Sequence, residues 1–207
     1  MKVDFKKKYS FYKCKQVPTL VSIPKMKYIS ISGEGNPNTS YDFKKSVEAL
    51  FKFSYTLKML PKKGTTPNGY FEYVVAPLEG IWNTKDETEF VGNKDDLVFK
   101  LIIHQPKFLT EELFNQLKYN IICDKKSSDI QDYIEKLSLE EIDEGQCIQI
   151  LHIGPYDNEP ETLESVFDYL RENKIEYIRS SHHEIYLSDA RRTEPRKLKT
   201  IIRYKLK

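Results

Sequence analysis

Two stretches of the chain pass through the same order of local signals, and this repeat restricts the folds open to it more than any other feature. Ile29-Ser30-Ile31-Ser32-Gly33 lies against Ile150-Leu151-His152-Ile153-Gly154, each closing the strands read over Lys27–Ser32 and Cys147–Ile153. An amphipathic helical pattern begins within about ten residues of both. In the first half Phe43, Val47, Leu50, Phe51, Ser54 and Leu57 share a stripe, with Lys44, Lys45, Glu48 and Lys52 mostly off it, and Pro61 and Gly64 end the helix. In the second, Asp157-Asn158 supplies a cap and Pro160 sits in the first turn, before Leu163, Val166, Phe167 and Leu170 at helical spacing. β-rich runs follow, Tyr70–Ala76 and Leu97–His104 in the first half and Glu184–Leu187 and Lys199–Leu206 in the second. Each half therefore reads strand, glycine turn, helix, strand, strand.

A unit of that size cannot cover both faces of its own sheet, so the halves must pair and leave a seam. The expected fold is α+β: two β-α-β-β repeats with pseudo-two-fold symmetry, a mainly antiparallel sheet and a central ligand cleft. The division expected is one domain over residues 1–207, with repeats at 18–106 and 146–207 and a helical connector at 107–145. In the connector Thr110 can cap Glu111–Lys118, and Ser128-Asp129-Ile130-Gln131 has capping-box spacing ahead of Ile130, Tyr133, Ile134 and Leu137. Pro77–Trp82 and a polar loop through Asp86-Glu87 separate the two later strands of the first repeat.

At 207 residues the chain can bury about 70% of its unfolded surface without help from disulfides or metal. Lys+Arg 33 against Asp+Glu 31 is too balanced to point to nucleic acid or a membrane surface. No apolar run is long enough for a membrane span. Met1–Phe5 carries positive charge with no apolar segment behind it, so no secretory signal is expected, and Lys6-Lys7-Lys8 reads as a solvated, mobile terminus. Cys14, Cys123 and Cys147 are odd in number and lack a CxxC, which fits a cytoplasmic location.

The usual catalytic signatures are missing from the sequence. His104, His152, His182 and His183 lack a metal-binding pattern, and the tandem pair would point to opposite faces of a strand, so surface or hydrogen-bonded structural roles are expected. There is no GxSxG, GxGxxG or P-loop. What remains is an acid in an aromatic setting. In His183-Glu184-Ile185-Tyr186-Leu187-Ser188-Asp189, Glu184 and Tyr186 share one strand face and Ile185 and Leu187 the other. If the apolar face packs on the helix, Glu184 and Tyr186 project from the far side of the sheet. Tyr73, with Phe71 on the same face, would match Tyr186 in the first repeat, and Trp82 and Tyr156 would stand nearby. The pocket then has Glu184, Tyr186 and Tyr73 as catalytic candidates and Trp82, Phe71, Tyr156 and Glu184 as ligand-binding ones, with no metal. Spacing alone equally allows Glu184 as a solvated residue of an exposed face and the tyrosines as good strand formers.

These residues resemble the GyrI-like small-molecule-binding domain family over about residues 18–207. The resemblance rests on Tyr55–Met59, Pro77-Leu78-Glu79-Gly80-Ile81-Trp82, Asp95–Pro106 ending in Ile103-His104-Gln105-Pro106, His152–Asp157 with Glu159–Leu163, and His183–Asp189. It implies a cleft with Glu184 at its centre meeting ligand, and the Pro-Leu-Glu-Gly segment points to the stand-alone branch. Some stand-alone members are hydrolases that open the cyclopropane ring of cyclopropanoid alkylating compounds; other relatives bind drugs passively or inhibit DNA gyrase. Asn83 stands where close relatives often carry a second tryptophan. Three readings stay open: a detoxifying hydrolase without metal or organic cofactor, a binder or sensor of small aromatic or cationic ligands, and a gyrase-interacting protein. Direct DNA binding is not expected, because the first ~25 residues are too short for a helix-turn-helix.

Overall fold

The structure, a computed structural model, describes residues 2–85 and 94–207. The loop expected through Asp86-Glu87 lies outside the described residues. In chain order the elements are β1 (Val3–Asp4), α1 (Phe5–Lys8), β2 (Thr19–Ile23), β3 (Met26–Glu34), α2 (Tyr41–Lys58), β4 (Tyr73–Val74), β5 (Glu79–Thr84), β6 (Leu97–His104), α3 (Glu111–Ile122), α4 (Gln131–Glu135), β7 (Ser138–Ile142), β8 (Gly145–Ile153), α5 (Glu159–Glu172), β9 (Ser181–Tyr186) and β10 (Lys199–Lys205). Ser40 caps α2 by accepting from the Phe43 N–H, and Thr110 caps α3 in the same way. Asp124, rather than the Ser128 motif, starts the connector's second helical stretch, where a 3-10 turn over Lys125–Ile130 leads into α4.

Eight strands form one antiparallel sheet in the order β2-β8-β10-β9-β5-β6-β3-β7. Within it β3-α2-β5-β6 and β8-α5-β9-β10 are the two β-α-β-β units, and they join where β5 pairs with β9. The connector contributes a strand as well as helices, since β7 pairs with β3. Likewise β2, which precedes the first unit, pairs with β8 of the second. The two parts of the chain are thus interlocked.

That interlock curls the sheet into a half-barrel. Ile23 and Met26 are three Cα steps apart, about 11 Å at most. Their strands hold the first and seventh places in the sheet, which in a flat sheet lie roughly 29 Å apart. Only a curled sheet satisfies both. Lys25, in the link between β2 and β3, pairs with Glu141 of β7 at 2.8 Å.

The seam strand of the first unit is β5, the Pro-Leu-Glu-Gly-Ile-Trp segment itself, and not Tyr70–Ala76. Of that run only Tyr73–Val74 pairs, in parallel with Val3–Asp4. The lysine-rich N-terminus is packed rather than mobile. Phe5, Phe11 and Tyr12 are buried, while the basic side chains of α1 point outward. Phe5 and Phe108 take up Tyr73, which draws this run away from the seam.

Behind the sheet lies a buried polar network for which the sequence offered no pattern. The Tyr12 hydroxyl donates to Glu79 Oε1 at 2.6 Å. His183 lies between Glu144 (Nδ1 to Oε1, 2.8 Å) and Glu79 (Nε2 to Oε2, 3.0 Å, off the line of a good hydrogen bond). Arg203, 1% exposed, donates to Glu144 Oε2 at 2.6 Å and through Nε and Nη2 to Gln149 Oε1 at 3.1 Å. Burial works against the imidazolium, but Glu144 and then Glu79 outweigh it and hold His183 at about 9. Burial likewise works against the Glu144 carboxylate, yet His183 and Arg203 hold it at about 2.

These shifts set a pH dependence. The raised His183 contributes stability that is complete below its unfolded value of 6.5 and is lost as pH rises through about 9. The depressed Glu144 contributes stability that is complete above 4.5 and is lost as pH falls through about 2. The urea midpoint is therefore expected to fall from about pH 6 to about pH 10, and to fall less in His183→Gln. An equal fall in both proteins would remove His183 from this role.

Candidate functional site

The cleft arises because each long helix carries two apolar rows. On α2, Leu50, Phe53 and Leu57 are buried in the core, while Phe43, Val47, Phe51 and Tyr55, four residues apart, line open space. On α5, Val166 and Leu170 are core and Leu163 and Phe167 line the cleft. The single stripe expected for α2 is thus divided, and Phe53 joins its core row.

The floor is β5 and β9, but on the face opposite to the one expected. Ile202 pairs directly with Glu184, so their side chains share a face, and Ile202 belongs to the cluster under α5 with Ile148, Ile150, Val166 and Leu170. Ile185 is on the other face, in the main core with Ile201 and Cys147. The helices therefore stand on the same side as Glu184 and wall it in. The cleft, open on one side, holds about 1730 Å³, against about 300–1,000 Å³ for a drug-sized pocket.

Glu184 is 9% exposed. His182 Nε2 lies 2.9 Å from its Oε1. The Trp82 indole N–H donates to the Tyr186 hydroxyl at 3.0 Å, and Glu184 stands two residues away on the same strand face. Burial first and then Glu184 push the Tyr186 phenol well above its ordinary range, so it keeps its proton. Trp82 in turn stacks on Phe43, with centroids 5.9 Å apart and planes 23° apart. Tyr156 meets Tyr186 edge-on at 5.9 Å, and its phenol is pushed up to about 12 by burial and then Glu184.

Gly80 makes the Trp82–Tyr186 contact possible. It pairs with Glu184 across the seam, and a Cβ there would lie 2.8 Å from Trp82 Nε1 and 3.2 Å from the Tyr186 hydroxyl. Gly80→Ala is expected to displace the indole, lowering Tm by several degrees and shifting Trp82 emission. Unchanged emission would mean the contact does not depend on that glycine.

His152 holds the turn that brings Tyr156 to the site. Its Nε2 lies 3.0 Å from the Pro155 carbonyl, which can only accept, so Nε2 carries the proton and Nδ1 accepts from Thr162 Oγ1 at 2.7 Å. The same turn delivers Glu159 to the cleft. Burial first and then Glu184 raise Glu159 to about 9, with Asp157 adding and Lys94 opposing.

The structure therefore brings Glu184, Tyr186, Trp82 and Tyr156 to one cavity. It places Tyr73 and Phe71 elsewhere, in an aromatic cluster with Phe5 and Phe108. Tyr73 is not the counterpart of Tyr186, because β5 occupies the seam. Asn83 lines the cleft, its amide nitrogen facing Ser180 O at 3.0 Å and Ser181 Oγ at 2.9 Å. Two cleft residues escaped sequence reasoning. His182 was assigned only a generic structural role, and Glu159 looks like any acid in a first helical turn. Among the described residues no group of three or more His, Cys, Asp or Glu side chains is arranged to hold a metal ion, and no helix is long and apolar enough to cross a membrane.

A curled sheet of two β-α-β-β units with a hydrophobic, acid-centred cleft defines a small-molecule-binding class of domain. Residues 16–206 match the GyrI-like small molecule binding domain, and the chain belongs to that family. No curated protein matches it. Among solved structures it is similar to a hydrolase encoded by lin2189 from Listeria innocua, with 31% identity and a TM-score of 0.90 over all of both chains. An uncharacterized conserved protein from Listeria innocua is 34% identical with a TM-score of 0.89, again over all of both chains. The C-terminal domain of EcmrR shares the fold at 11% identity and a TM-score of 0.50, over 92% of this chain and 96% of that one.

Proposed function

We propose that the protein binds flat aromatic electrophiles in this cleft and opens a strained ring in them with water, a detoxifying hydrolysis of the cyclopropanoid type. The observation that carries the reading is the Glu184 carboxylate on the cleft floor, bonded to His182 and beside a Tyr186 hydroxyl that the Trp82 N–H fixes. Glu184 serves as general base for the attacking water, with His182 aligning it. Tyr186 keeps its proton beside that carboxylate. The stacked Trp82–Phe43 pair and Tyr156 flank the substrate and exclude bulk water. The similarity to Listeria proteins described as hydrolases supports the class of reaction.

A second reading draws on the same carboxylate. An ionised Glu184 among Trp82, Tyr156 and Tyr186 suits a lipophilic aromatic cation, each ring adding about 0.5–2 kcal/mol. Product separates the two. Incubation with a spirocyclopropyl cyclohexadienone is expected to give ring-opened phenol above the spontaneous rate. Saturable binding of an aromatic cation with no such product leaves a passive binder.

A further inference from the structure

Among the carboxyls that line the cleft, a second one besides Glu184 has a buried oxygen. Glu159 opens α5 and lines the cavity together with Glu184, Tyr156 and Tyr186. Its Oε1 is buried and meets no hydrogen-bond partner among the described residues. An ionised oxygen so placed has no donor among the described residues, whereas a protonated carboxyl loses little there. Glu184 and Tyr186 face it from β9, Tyr156 and Asp157 from its own turn, and Asp189 stands beyond β9 near Tyr156. Lys94, ahead of β6, is the opposing cation, and it already pairs with Asp157 at 2.6 Å. The α5 N-terminus favours the anion only modestly.

Building on the hydrolytic reading, we infer that Glu159 is the general acid of the cleft, the neutral carboxyl that gives its proton to the substrate's carbonyl oxygen as the ring opens. Tyr186 is the poorer donor for that task, since its hydroxyl already accepts from Trp82 and burial holds its proton well above the ordinary phenol range. The step balances without oxidant or reductant. The water oxygen bonds to a ring methylene, the strained C–C bond breaks, and its electron pair aromatises the dienone. Glu159 protonates the resulting phenolate oxygen while Glu184 takes the proton from water. Transfer of one proton from Glu184 back to Glu159 restores the site. A proton donor and a proton acceptor lining one cleft are what such a division of labour needs.

The probe is the parent spirocyclopropyl cyclohexadienone, hydrolysed to 4-(2-hydroxyethyl)phenol and followed by loss of dienone absorbance. Glu159→Gln is expected to lower kcat at neutral pH by about 100-fold and to abolish the fall in rate as pH rises through about 9. A readout free of turnover accompanies these: the carboxylic-acid C=O infrared band at neutral pH is expected in the wild type and weakened in Glu159→Gln, with Tm confirming that the variant folds. A folded Glu159→Gln enzyme with wild-type rate and alkaline limb overturns the donor role and leaves hydrolysis standing. An infrared band identical in the two proteins overturns the neutral carboxyl. Absence of product from the wild type removes hydrolysis and donor together.

Discussion

Glu184→Gln is expected to weaken binding of tetraphenylphosphonium by about 2–4 kcal/mol, roughly 30- to 1,000-fold in Kd. The same variant is expected to lower hydrolysis of a spirocyclopropyl dienone by about 100- to 10,000-fold. The substitution keeps the shape of the side chain and removes only its charge and basicity. Glu184 is nearly buried, so water screens it little, and a cation in the cleft feels most of that charge. The neutral comparison ligand, triphenylphosphine oxide, should bind both proteins within about threefold, because aromatic contact is unchanged. Calorimetry on the two ligands reads this directly. Equal loss for the cation and the neutral ligand would show collapse of the cleft rather than loss of a charge.

The second large effect concerns the fold. Glu144→Gln leaves Arg203 buried without its carboxylate partner, and arginine cannot shed its charge as His183 can. Breaking one member of a buried ion network costs about 3–5 kcal/mol. The release of His183 by deprotonation places this case near the lower figure. For a chain of this size that is a fall in Tm of roughly 6–12 °C. Joining Arg203→Met to Glu144→Gln should recover part of it, because a well-packed apolar replacement avoids the unpaired charge. A single variant melting within about 1 °C of the wild type would mean the network contributes little.

The repeat was legible because periodicity is a local property. The α5 stripe, the Thr110 cap and the Leu97–His104 strand all follow from spacing within a few turns, and the structure has them there. The seam was harder. Tyr70–Ala76 is richer in β-branched and aromatic residues than Glu79–Thr84, but the N-terminal Val3–Asp4 and Phe5 capture it. Gly80, a weak strand former, sits at the seam because the Trp82–Tyr186 contact needs room. The face borne by Glu184 depended on the same long-range choice. Strand alternation grouped Glu184 with Tyr186, but only Ile202 beside Glu184 shows that α5 covers that side. The His183–Glu144–Arg203 network joins three distant segments, and no local pattern encodes it. Glu159 is the sharpest case, since the buried Oε1 and its neighbour Glu184 lie on segments far apart in the chain.

The central claim is that the space between α2 and α5, floored by Glu184, is where ligand binds, and the protein carries its own reporter. Trp82 is the chain's one tryptophan, and its indole lies in that cleft against Tyr186. Titration with tetraphenylphosphonium, exciting only the indole, is expected to give a saturable change in Trp82 emission with the Kd found by calorimetry. Calorimetric binding of the cation with Trp82 emission unmoved would place the ligand elsewhere and contradict the account.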